Sequence, residues 1–219
     1  MQVNFLTAAA GTDYWMNTKH ITTCGLAIGA IFFGPGYAQS FSAYSYPKDG
    51  YAIEVPATWQ ERPLNTPTGG TLRAFVDTES KKGAGYCHVE VEPIDKESLP
   101  KLAAMSEKET RAYLAQQWTL DDWLRIYPNL ASAQDFKFLS SYATALGTRT
   151  PAEGMEFEYG APQGYFYRAR AYLALANKRM YSLWCMTSGQ GKAEAEDNFR
   201  QYLKDFQMVA AKFELIDEQ

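Results

Sequence analysis

YSYPKDGYAIEVPATW, residues Tyr44 to Trp59, reads as a β-hairpin. Asp49-Gly50 is a strong turn pair, because glycine accepts a positive φ at no steric cost. After it, Tyr51, Ile53 and Val55 alternate with Ala52 and Glu54, the period-two pattern of a half-buried strand. Pro56 has no N–H to donate and ends the ladder. Trp59 follows, placed to cover the edge of a core. The stretch opens a domain; a turn of this kind is not itself a site.

Upstream of the hairpin the character differs. Met16-Asn17-Thr18-Lys19-His20 is a short basic segment, and Cys24 to Gly34 is an apolar run. At about a dozen residues that run is short for a bilayer span and suits a signal peptide. Gly36 and Ala38 supply the small residues of a cleavage site. We read residues 16–38 as a secretory signal and residues 1–15 as an upstream extension or leader. Residues 39–219 are then one domain, periplasmic or secreted, whose link to the membrane is through export alone. Cys24 stands at the start of the apolar run, not after it, and is not placed as a lipoprotein cysteine.

The 219 residues carry a net charge of −4 and no basic cluster, which argues against a nucleic-acid partner. Of the three cysteines, Cys87 and Cys185 remain after the signal. In an exported chain an even pair suggests a disulfide; the alternative is two buried free thiols packing as small hydrophobes.

Downstream, Arg62 to Gly70 reads as a loop, with two prolines and two glycines. Thr71–Asp77 and Tyr86–Ile94 read as strands, with Cys87, Val89 and Val91 facing one way and His88, Glu90 and Glu92 the other. Ser106 and Glu109 form a capping box, so a helix runs from there to about Trp118. Thr119-Leu120-Asp121-Asp122 repeats the signal for a short helix through Ile126. Strands follow at Phe136–Thr144, Ala152–Tyr159, Tyr165–Ala176 and Met180–Thr187. Lys192–Val209 is an amphipathic helix and Phe213–Gln219 a tail. Strand runs broken by helices predict an α+β chain: a mainly antiparallel sheet of about six or more strands, covered by helices.

Candidate binding residues follow from that layout. Trp118, Trp123 and Tyr127 cluster at the helix junction, as core or as the lining of an apolar cleft. Arg168 and Arg170 fall opposite Glu156 and Glu158 if the strands pair in order, as a solvated charged face or a polar recognition strip. His88, Glu90 and Glu92 share one strand and could hold a cation; the plainer reading is a solvated face, and we assign no metal. Asp121-Asp122 sits where acids favour a helix N-terminus. Gly189-Gln190-Gly191 could present N–H groups to an anion, or is a helix-entry turn.

Catalytic chemistry is not written in the chain. His88 is the single histidine after the signal, and Cys87 beside it points to the opposite face. There is no G-x-S-x-G elbow, H-E-x-x-H, C-x-x-C, P-loop or EF-hand pattern. No cofactor is expected.

Several segments together resemble the PsbP-like family: D-G-Y…P-x-x-W at Asp49–Trp59, LRAFVD at Leu72–Asp77, EGMEFEY at Glu153–Tyr159, RMYSLWC at Arg179–Cys185 and the terminal aromatic helix. That family includes the extrinsic subunit of photosystem II and shares its fold with a yeast Ran-binding nuclear import factor. The resemblance spans Phe41 to Val209 and implies an α/β/α sandwich. It carries over no catalytic residues, and Phe41–Tyr46 does not reproduce the region with which the photosystem subunit engages its membrane partners, so a photosynthetic role is not implied. The expectation is an exported, non-enzymatic interaction or accessory module that binds an envelope protein. The alternative is a binder of a small apolar ligand or lipid, using the aromatic cleft.

Overall fold

The Tyr44–Trp59 hairpin forms, in a small sheet of its own. A computed structural model describes residues 40–64, 70–80, 85–94 and 99–216; residues 1–38, read above as an upstream extension and a secretory signal, lie outside the described residues. β1 (Phe41–Tyr46) pairs antiparallel with β2 (Tyr51–Pro56) across the turn. Gly50 sits at φ +77 and its N–H donates to the Tyr46 carbonyl at 2.9 Å. β2 buries Tyr51, Ile53 and Val55, as its alternation requires. Its other edge is taken by β10 (Phe213–Leu215), where a tail was expected. Phe213 supplies the reason: its ring stacks on Tyr51, with centroids 5.4 Å apart.

The main sheet has seven antiparallel strands. In chain order they are β3 (Trp59–Leu64), β4 (Thr71–Asp77), β5 (Tyr86–Pro93), β6 (Gln134–Leu146), β7 (Thr150–Gly160), β8 (Tyr165–Ala176) and β9 (Arg179–Gln190). Their spatial order is β3-β4-β5-β9-β8-β7-β6. β3 corrects the sequence reading, which began a loop at Arg62. It is an edge strand paired only with β4, the position in a sheet where Pro63 is tolerated.

Helices cover both faces. α1 (Pro100–Ala104), α2 (Glu107–Leu114) and α3 (Leu120–Ile126) lie on one, and α4 (Lys192–Ala211) with the small sheet on the other. α2 starts at the expected capping box: the Ser106 N–H donates to Glu109 at 2.8 Å. It stops at Leu114 rather than at Trp118, because Thr119 opens the next helix, its N–H donating to Asp122 at 2.9 Å. α1 carried no clear signal in the sequence. The result is an α/β/α sandwich around an antiparallel sheet, with one apolar core on each side.

Candidate functional site

β5 runs near the middle of the sheet and presents opposite chemistry to the two layers. Cys87, Val89 and Val91 face α4 and the small sheet. Cys87 lies directly opposite Cys185 of β9, with Cα atoms 4.0 Å apart and the sulfurs joined at 1.99 Å.

The other face of β5 carries His88, Glu90 and Glu92. A solvated face was one reading of these residues, and the structure corrects it. Tyr127, at the end of α3, reaches over the strand, and His88 is 9% and Glu90 1% exposed. Burial pushes His88 down to about 4. Burial, with the Glu92 charge adding to it, pushes the Glu90 carboxyl up to about 8. His88 is flanked by Tyr86 and Trp184, with centroids 6.3 and 6.1 Å away. Among the described residues, neither Glu90 carboxyl oxygen has a hydrogen-bond partner. Directly opposite Glu90, Ser182 of β9 is hydrogen-bonded to the Tyr127 hydroxyl, which descends from the end of α3. Among the described residues no group of three or more His, Cys, Asp or Glu side chains could hold a metal ion.

Trp118, Trp123 and Tyr127 do come together, but inside the core. Trp118 and Trp123 meet edge to face at 5.3 Å, and Trp123 stacks on Tyr127 at 6.2 Å. All three are buried among Met155, Phe157 and Trp184. They fill the space between the helices and the sheet and do not line an open cleft. The Trp118 backbone N–H and the Trp123 indole N–H are anchored through a residue the sequence reading missed. Glu153 of β7 accepts from the Trp118 backbone N–H at 3.1 Å and from the Ser141 hydroxyl at 2.5 Å. Ser141 in turn accepts from the Trp123 indole N–H at 3.0 Å. Burial raises the Glu153 carboxyl, although both of these bonds pull the other way. The available signal was parity: Glu153 shares the strand face of Met155, Phe157 and Tyr159, an acid on an apolar stripe.

The arginine strip lies on the opposite face, beneath α4. The expected register holds, with Glu156 opposite Arg170 and Glu158 opposite Arg168. The contacts are not the simple cross-strand pairs. Glu156 accepts from both arginines, from Arg168 at 2.6 Å and from Arg170. Arg168 also reaches Glu196 of α4 at 3.0 Å and covers the Phe199 ring at 4.8 Å. Glu158 instead pairs with Lys192 at 3.5 Å. Burial works against the charge on Glu156, but the hydrogen bonds from Arg170 and Arg168 outweigh it and hold the carboxyl below its usual range. This is a covered network that seats α4, not a solvated strip. Glu156→Ala leaves two arginines without their shared carboxylate. It is expected to cost about 3 kcal/mol, read as a lower urea midpoint, whereas Lys192→Ala at the exposed rim costs under about 1 kcal/mol.

The remaining candidates have local roles. Asp122 caps α3. At Gly189–Gly191 the Glu194 carboxylate accepts the Gln190 N–H at 2.6 Å, so the start of α4 already holds a negative group of its own.

No protein-family model matches this chain, and no curated protein matches it. Solved structures do. The solution structure of cyanobacterial PsbP from Synechocystis aligns over 85% of this chain and 98% of its own, at 17% identity and a TM-score of 0.50. A mutant of the protein Mog1 aligns over 81% and 97%, at 10% identity and a TM-score of 0.50. The Ran-binding protein Mog1p of Saccharomyces cerevisiae aligns over 82% and 97%, at 10% identity and a TM-score of 0.48. At these identities the likeness is one of fold, and the fold of this chain is PsbP-like.

Proposed function

We propose that this chain is an exported, non-enzymatic accessory module of the cell envelope, acting by binding another protein. The observation that carries the reading is the Cys87–Cys185 bridge across the centre of the sheet. Such bonds form and persist in oxidising compartments and are rare where thiols are kept reduced. The basic segment and apolar run of residues 16–38 support the same compartment from the sequence side. The PsbP-like fold is compatible with a binding role and brings no catalytic group with it. The apolar-ligand reading loses its support, since its three rings are buried against one another.

The intact mass of protein recovered from the periplasm tests compartment and bridge together. The expected result is a chain beginning at Gln39 whose cysteines accept a thiol label only after reduction. A chain beginning at Met1 or Met16, with Cys87 and Cys185 labelled directly, would overturn the export reading. Crosslinking in intact cells then tests the binding role: a discrete envelope-protein adduct is expected, and a chain that stays an uncrosslinked monomer counts against it.

A further inference from the structure

A buried carboxyl without a hydrogen-bond donor is stable only as the neutral acid, because a desolvated charge is expensive when nothing pairs with it. Glu90 is such a group, and its surroundings give it leverage. It lies in a row of the sheet with Leu72 of β4 on one side and Ser182 of β9 on the other. Over that row hangs Tyr127, tied to Ser182. Among the described residues, the titratable groups facing Glu90 are His88 and Glu92 from its own strand and Tyr127 from the helical layer; Leu72 and Ser182 bring no charge. None of these is a cation in neutral solution. His88 is held neutral by burial, Tyr127 is raised well above the usual tyrosine range by burial, and Glu92 adds like charge. The cover is also thin. α3 has seven residues, too few to persist alone, so it depends on its seat against the sheet.

We propose that Glu90 is a proton-operated latch: as the acid it lets the α1–α3 layer close over the sheet, and loss of its proton releases that layer and bares the aromatic face beneath. On opening, water enters between Tyr127 and β5 and solvates the ionised Glu90. Opening exposes Trp118, Trp123 and Tyr127 while the strand ladder stays intact. The sign follows from linkage. The carboxyl holds its proton up to about 8 in the closed state and releases it near 4.5 in the open one. Rising pH therefore favours opening, by about tenfold per pH unit well below the closed-state value and by less as that value is approached. An exposed His88 is half protonated at pH 6.5 and mostly neutral above pH 7, so the response from pH 7 to 8 belongs mainly to Glu90.

Amide hydrogen exchange on the full exported chain, corrected for the intrinsic pH dependence, reads the opening directly. In the wild type, protection of the α3 amides should fall about fivefold between pH 7 and 8, while that of the β8 amides holds steady. In Glu90→Gln, which keeps the shape and cannot ionise, α3 protection should be flat; Glu90→Leu serves if the amide variant folds poorly. Flat α3 protection in the wild type overturns the latch. So does a Glu90→Gln profile that falls with the wild type, or β8 amides that lose protection in step with α3, since the buried charge would then be relieved by global unfolding.

Discussion

Replacing Cys87 and Cys185 together by alanine is expected to lower the free energy of unfolding by about 4–5 kcal/mol. The bridge closes a loop across 98 positions of sequence, so breaking it returns a large amount of freedom to the unfolded chain. A single domain is stable by only about 5–15 kcal/mol, and a loss of this size takes a large share of that margin. The position of the bridge sharpens the expectation. β3, β4 and β5 come from the first half of the described chain and β6 to β9 from the second, and the halves of the sheet meet only where β5 pairs with β9. Urea unfolding of the oxidised protein and of the double variant measures the difference. A common midpoint would mean that the ladder alone holds the two halves together.

Trp123→Ala carries the second large effect. The ring is fully buried, contacts Trp118 and Tyr127, and donates its indole N–H to Ser141. Truncation opens a ring-sized cavity, at about 3–5 kcal/mol. It also removes one donor from the buried Ser141–Glu153 pair, adding about 1 kcal/mol. Trp123→Phe separates the two contributions. It keeps most of the volume and loses the donor, so it should fall roughly 1–2 kcal/mol below the wild type. If the phenylalanine variant were as unstable as the alanine one, the hydrogen bond and not the packing would dominate this layer.

How much of this could be read in advance depends on how local the cause is. The opening hairpin was legible because Asp49-Gly50 and the alternation of Tyr51, Ile53 and Val55 act within a few residues. The capping boxes at Ser106 and Thr119 were legible for the same reason. β10 was not: three residues form a strand only because β2 offers an edge and Tyr51 a ring to stack on. β5 shows a subtler failure. Alternation placed His88, Glu90 and Glu92 on one face correctly, and their polarity suggested water. Only the helical layer, brought in by the chain after the strand, turns that face into an interior. The arginine strip divides in the same way. Its register could be read from strand order, but the diagonal reach of Arg168 to Glu156 and its contact with Glu196 depend on α4 lying overhead.

The placement of β10 has a consequence for when the molecule can be finished. β6 to β9 form successive neighbours, so that half of the sheet assembles from contacts close in sequence. The small sheet is different: β2, from near the start of the described chain, waits for Phe213–Leu215 to complete its second edge. Contacts so distant along the chain form late and slowly. The small sheet therefore cannot close on a growing polypeptide until Phe213–Leu215 has been synthesised.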